Sequence, residues 1–416
     1  MSDQKSAAPP EAGQNRGWIV TFSGTGINLA LGVLYAWSVI SKQITKEWGW
    51  NETQAALPYS VAIAVFAFMM VPAGRMQDKL GPRLVATLGG IFCGIGFILA
   101  SLGQSLTGLV LGFGILAGAG IGFGYASATP PAVKWFPPAR TGLIAGLVVA
   151  GFGLASVYIA PLANYLLSAF GIQSTFLILG IAFLLAVVLL SQLLKNPPVG
   201  YKPAGNPAPA KAGSAPKATA VAADYEWTEM VRTPQFYLLW IMFVFGAGAG
   251  LMIIGKLAKI VDLQAGIKAG FIFVAMLAIG NAAGRIVAGV LSDKIGRTWT
   301  MFAVFVFQAV LMFLLRGLDT YGTLFLASVL IGFNYGANLS VFPSATKDYF
   351  GLKNFGVNYG FVFTAWGVGG ILGPMLSGQI FDAEKNFNSA YLIAAVCLLI
   401  AAGLTFVTRA PKAKAR

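Results

Sequence analysis

The chain has 416 residues, of which 57% are hydrophobic and 10% charged, with a formal net charge of +14. Soluble domains carry about 25% charged residues, so there is too little polar surface here to wrap a soluble core of this size. The fitting solvent is lipid, where every backbone polar group needs an internal partner and spans must be helices or closed barrel strands.

The apolar runs decide for helices, because they approach roughly 20 residues, the length that crosses a hydrocarbon core of about 30 Å. The absence of His removes imidazole bases, His metal ligands and Ser-His triads. Cys93 and Cys397 lie inside apolar runs and form neither a disulfide framework nor a metal pattern. No metal, cofactor or nucleic-acid partner is expected, and no enzyme activity, since the spans carry no clustered acids or other catalytic constellation.

In chain order, the first 16 residues are polar, and the run from Gly17 to about Ile40 is too long for a signal-peptide core. It reads as a first span. Apolar runs then fall at about 17–41, 55–74, 84–104, 107–130, 141–169, 174–194, 235–260, 268–291, 299–316, 321–345, 356–381 and 388–408. They divide six and six, giving an N-terminal bundle over 1–194 and a C-terminal bundle over 234–416. Between them, 195–233 carries Pro197, Pro198, Pro203, Pro207, Pro209 and Pro216 with Lys202, Lys211 and Lys217 among Ala and Gly. Such a segment cannot bury a core and reads as a linker. Its end, Asp224 to Met230, is amphipathic and suits a short surface helix.

Twenty of the 28 Lys and Arg residues fall on the side of the two termini, and seven on the other: Lys42, Lys46, Lys256, Lys259, Lys268, Arg316 and Lys385. That bias expects both termini in the cytoplasm of a multi-pass protein of the cell (inner) membrane. The remaining cation is Arg285. It lies in the run Gly270 to Leu291, with no other ionisable residue between Lys268 and Asp293.

The halves repeat. Gly74, Asp78, Lys79, Gly81 and Arg83 follow the second span; Gly289, Asp293, Lys294, Gly296 and Arg297 follow the eighth. A second echo pairs Trp135, Phe136 and Arg140 with Tyr349, Phe350 and Lys353. Parallel repeats of this kind suit a transporter whose site lies between two rocking bundles. The physical need at the motif is a tight turn: Gly for close helix approach, Asp78 as a possible cap of a neighbouring helix, and Lys79 and Arg83 as donors.

Arg285 stands roughly 12 Å from Asp293 along a helix at 1.5 Å per residue. An Arg at mid-bilayer costs about 2.5–3.5 kcal/mol on insertion scales, so it should face a cavity. With no acid at its depth, its planar fork suits a carboxylate bidentately; the alternative is a guanidinium bonded to a neighbouring helix's carbonyls. Asn281, one turn earlier on the same face, can add a neutral hydrogen bond. Tyr35, Trp37, Tyr125, Asn334, Tyr335, Asn338 and Trp366 are the other polar or aromatic candidates to line the cavity, weighed against plain helix packing. Gly114, Gly118 and Gly122, and Gly142 with Gly146, read as close helix packing.

The two loop motifs resemble those of the major facilitator superfamily, which implies an all-α membrane protein of twelve transmembrane helices in two six-helix pseudo-repeats. Further segments are similar to the oxalate/formate antiporter family, a branch related to the monocarboxylate transporters. They are Gly32 to Ser38, Trp135 to Gly146, Arg232 to Phe236, Ser292 to Arg297 and Asn358 to Gly360. The resemblance implies transport of small carboxylates, with the substrate-binding Arg of span eight falling on Arg285.

Two departures refine that expectation. The family's second cation, a Lys in span eleven, is replaced by Trp366, so one cation meets one carboxylate and a monocarboxylate such as lactate is expected over oxalate. The Asp that animal monocarboxylate carriers place one turn before the Arg is Asn281 here, so their proton relay does not transfer. The expected activity is proton-coupled symport by alternating access, in a monomeric functional unit, with protons and a small organic monocarboxylate as partners. Asp262, near the outer end of span seven and three residues from Lys259, is the candidate proton site. The alternatives are an oxalate/formate-type exchanger, a non-transporting membrane sensor, or a drug exporter, which would favour an intramembrane acid.

Overall fold

In the computed structural model, residues 10–137, 140–198, 201, 224–351 and 354–411 are described. Lys5, Lys202, Lys211, Lys217, Lys353, Lys412, Lys414 and Arg416 lie outside them, as does most of the linker expected over 195–233. The described chain is helical. Helix α1 (Pro10–Leu31) passes through a 3-10 turn (Gly32–Ala36) into α2 (Trp37–Glu47). Helices α3 (Glu52–Leu80) and α4 (Pro82–Ala100) follow. A short α5 (Leu106–Leu109) leads through a π turn (Val110–Ala117) into α6 (Gly118–Lys134), and α7 (Thr141–Ser191) ends the first half. After the four-residue α8 (Trp227–Met230) come α9 (Pro234–Ala265), α10 (Gly270–Ile295), α11 (Arg297–Leu315), α12 (Tyr321–Phe350), α13 (Phe355–Glu384) and α14 (Asn388–Val407).

Eleven helices among the described residues are long and apolar enough to cross a membrane. Helix α7 is 51 residues long and is interrupted by Gly171 at φ 75°, so it holds two crossings and the total is twelve. An even number of crossings puts the two ends of the described chain, Pro10 and Pro411, on one face, here called the terminal face.

The repeat expected from sequence is a repeat of geometry. Gly81 (φ 88°) separates α3 from α4, and Gly296 (φ 86°) separates α10 from α11. Both turns need a left-handed backbone that a Cβ disfavours. The side-chain roles differ from the expectation. Gly74 has nothing within 4 Å of a Cβ position, so it permits no close approach. Asp78 and Lys79 are exposed, and among the described residues neither caps a helix. Arg83 donates from Nε to Gln192 Oε1 at 2.8 Å. The second copy is held by ion pairs: Arg297 pairs with Asp293 at 2.7 Å and Asp348 at 2.8 Å and also donates to Ser292, while Lys294 stays exposed.

Close packing also redistributes. Gly114, Gly118 and Gly122 do lie against α3, at Val61, Ala62 and Phe66, because side chains there would keep the backbones apart. Gly146 has open space around it. The tightest approach is one the repeat pattern did not flag: α10 and α12. There Gly280 and Gly284 meet the carbonyls of Val329 and Phe333, and Gly332 and Gly336 meet those of Leu277 and Asn281, closer than any Cβ could stand. Across the halves, α3 packs on α13, α7 on α10 and α2 on α9.

Candidate functional site

The α10–α12 approach fixes Asn281 and Arg285, one turn apart on α10. Arg285 Nε donates to Asn281 Oδ1 at 3.1 Å. Its Nη1 reaches across to the first half and donates to the Val149 carbonyl of α7 at 3.1 Å. Gly153, one turn further along α7, also borders the cation: a Cβ there would stand 3.6 Å from the guanidinium carbon, in ordinary van der Waals contact. Among the described residues, no carboxylate comes within 4.0 Å of Arg285. The side chain is partly exposed and turned toward the other half, not toward lipid headgroups. One of its donors is therefore spent on a carbonyl of a neighbouring helix, but its charge is unmatched.

Three aromatic candidates join it. Trp366 Nε1 on α13 donates to Tyr335 Oη on α12 at 2.7 Å. Tyr335 Oη lies 3.0 Å from Tyr35 Oη, contributed by the 3-10 turn between α1 and α2. All three are at most 2% exposed. Tyr35 and Tyr125 are near enough to feel the Arg285 charge. Tyr125 meets Phe66 and Phe152 edge-on, at 5.3 and 5.2 Å between ring centres. The group is a cation rimmed by hydroxyl and amide groups inside an aromatic wall, at the junction of the two halves.

Other candidates stand elsewhere. Asn338 donates to the Asn334 carbonyl, and its amide oxygen faces Gly246 of α9. Asn334 donates to the Leu330 carbonyl. Trp37 donates to the Ala55 carbonyl at 3.1 Å and stacks on Phe113 at 4.4 Å, inside the first half. The hydrogen bonds of these three run to backbone carbonyls of their own half.

Asp262 departs from its expected pairing. It bonds Lys42 of α2 at 2.9 Å and Lys268 at 2.7 Å. Lys259 turns instead to Glu52 at 3.8 Å and sits 5.2 Å over the Phe381 ring. The reason is the neighbouring half: α2 brings Lys42 to Asp262, while α3 offers Glu52 to the α9 lysines.

This second cluster was not legible from loops alone. Lys256 counts among the outer cations by sequence, yet its side chain is 1% exposed and bonds Glu52 Oε2, itself 5% exposed, at 2.6 Å. It also donates to the Glu52 carbonyl at 2.8 Å. Asp382 at the end of α13 accepts from the backbone N–H of Glu52 (2.8 Å) and of Thr53 (2.9 Å), and from the Thr53 hydroxyl (2.5 Å). The C-terminal half thus caps the first turn of α3, beside the local capping box of Asn51 and Gln54. The available signal was the position of Lys256 inside the apolar run 235–260. These contacts tie the halves together on the face opposite the termini. On the terminal face, the described ion pairs of Arg297 stay within the second half.

Two six-span repeats meeting at a buried polar junction, closed by cross-half ion pairs on one face, define a secondary-transporter architecture. The model of the Major Facilitator Superfamily matches residues 18–280 and 262–416, and the chain belongs to that family. It is 30% identical to the MFS-type transporter YhjX of Escherichia coli K12, over 87% of this chain and 88% of that one. It is 28% identical to the oxalate:formate antiporter of Oxalobacter formigenes, covering 96% and 94%, and 26% identical to monocarboxylate transporter 13 of Rattus norvegicus, covering 95% and 89%. A solved bacterial homologue of the human lysosomal transporter Spinster, inward-facing and unoccupied, shares the fold with a TM-score of 0.68 at 19% identity, covering 97% of this chain and 98% of that one.

Proposed function

We propose that the protein is a secondary active transporter of a small monocarboxylate, working by alternating access with Arg285 as the carboxylate anchor. The observation that carries this reading is a guanidinium between the halves with no acid partner among the described residues and an amide one turn away. A guanidinium bound only to neutral acceptors keeps a full positive charge, and a single carboxylate neutralises it with charge-assisted hydrogen bonds. With Trp366 where a second cation would stand, a dianion would keep one charge uncompensated in a poorly solvated site. A lactate-like acid therefore fits better than oxalate. The names of the oxalate:formate and monocarboxylate relatives support the class of cargo.

In this reading the bundles 1–194 and 234–416 rock about the site, linked by 195–233, with both termini cytoplasmic in the cell membrane. The cargo enters with a proton. Asp262 serves as the proton site in the state open to the opposite face, where Lys42 withdraws with its own half and leaves the carboxylate less compensated. The decisive experiment is uptake of labelled lactate, pyruvate, acetate and formate into proteoliposomes by wild type and Arg285→Ala. Saturable uptake lost in the variant at normal incorporation is the expected result. Near-normal uptake by Arg285→Ala would remove the carboxylate anchor.

A further inference from the structure

The direction of the hydrogen bonds joining Trp366, Tyr335 and Tyr35 has a consequence for the site. An indole N–H can donate but has no lone pair to accept. Trp366 therefore donates to Tyr335 Oη, at 2.7 Å. Tyr335 has one hydroxyl proton, and its other hydrogen-bond partner among the described residues is Tyr35 Oη at 3.0 Å. Tyr59, the next hydroxyl in this region, makes no hydrogen bond. Either hydroxyl of this pair can donate; with an anion beside Tyr35, donation from Tyr335 to Tyr35 is the direction that gives both protons an acceptor, whereas the reverse leaves the Tyr335 proton with none. Tyr35 is then an acceptor on that side, and its own proton must point elsewhere.

Arg285 and Asn281 also neighbour Tyr35. Arg285 offers no acceptor, and Asn281 Oδ1, which already accepts from Arg285 Nε, offers only a neutral lone pair that a carboxylate outcompetes. The Asn281 amide nitrogen is buried and has no partner. The guanidinium, this amide N–H and the Tyr35 O–H are thus neighbouring groups with hydrogen-bond donors to offer.

We propose that Trp366 is a positioning residue. Its indole N–H polarises the chain Trp366→Tyr335→Tyr35, so that the Tyr35 hydroxyl is held as a donor to the carboxylate bound by Arg285. Trp366 thus contributes to anion binding from one bond removed, without a charge and without touching the anion. The inference rests on the carboxylate reading of Arg285. Removing the indole N–H lets Tyr335 accept, which allows Tyr35 to turn its proton toward Tyr335 and away from the anion.

The test is binding of formate, acetate, pyruvate and lactate to the purified full-length chain, by calorimetry, in a set of variants. Trp366→Phe keeps an aromatic ring and loses the donor; its affinity falls about tenfold, the scale of one hydrogen bond to a charged group. Adding Tyr335→Phe to Trp366→Phe removes the competing acceptor, so the double variant binds more tightly than Trp366→Phe alone. A purely structural role for Trp366 would make the double variant at least as weak. Tyr35→Phe, with Trp366 intact, loses the same factor, and adding Trp366→Phe to it costs no more affinity. Wild-type affinity in Trp366→Phe or in Tyr35→Phe, or a double variant no tighter than Trp366→Phe, overturns the proposal. Should Trp366→Phe fail to fold, the same comparison is made with Trp366→Leu, alone and combined with Tyr335→Phe. Arg285→Ala separates the two readings. If it abolishes binding while Trp366→Phe changes nothing, the polarised chain falls and the carboxylate anchor stands. Binding retained in Arg285→Ala, or no binding of any of the four acids by wild type, overturns both.

Discussion

Glu52→Gln is the substitution with the largest expected conformational effect. The Glu52 carboxylate is the ion-pair partner of Lys256, at 2.6 Å, with both side chains almost fully buried. Removing one member of a buried pair leaves an uncompensated charge and costs about 3–5 kcal/mol. The lower end applies here, since Lys256 keeps the residue 52 carbonyl at 2.8 Å. In a protein with two conformations, that cost falls on the state containing the pair. About 3 kcal/mol moves the equilibrium more than a hundredfold toward the state open on this face. Double electron–electron resonance reads it directly, with spin labels at Lys46 and Ala383, exposed positions on opposite halves, in a background lacking Cys93 and Cys397. The expected result is a shift of the distance distribution to longer values in Glu52→Gln. An unchanged distribution, in a variant of normal thermal stability, would refute the assignment of this pair as the element holding the face closed.

Asp382→Asn acts on the same face with a smaller effect, because the amide keeps one oxygen for the α3 first turn but sets an NH2 against an N–H; a bias of about 1–2 kcal/mol toward opening is expected in the same distance measurement. Arg285→Lys keeps the charge and loses the planar fork; apparent affinity for the transported acid falls at least about tenfold, read as a rise in KM, and an unchanged KM would argue against bidentate binding. Gly336→Ala forces a Cβ into the Asn281 carbonyl; overpacking of about 1–3 kcal/mol or more follows, seen as a lower unfolding temperature, while Gly146→Ala, in open space, leaves that temperature unchanged. Asp262→Asn removes acid-driven accumulation in proteoliposomes and spares exchange; unchanged pH dependence would discard Asp262 as the proton site.

Lipid as solvent forces helices, and hydropathy runs separated by polar loops count them, so the twelve spans were legible in the sequence. Gly171 divides α7 into its two crossings at the gap between the runs 141–169 and 174–194, without a charged loop of the kind that surrounds Gly81 and Gly296. The isolation of Arg285 along its span was also readable, because a charge in an apolar run has no local alternative partner. Tertiary structure decided everything that depends on the other half. It chose Lys42 over Lys259 for Asp262 and turned Lys256 from an apparent loop cation into a buried ion-pair member. It also joined Trp366 to Tyr335 and Tyr35 from three separate segments. The physical reason is that helical periodicity fixes neighbours three and four residues apart, whereas partners across an interface follow from the crossing of rigid helices. Those crossings depend on close approaches such as Gly280 and Gly284 against α12, which carry no hydropathy signal.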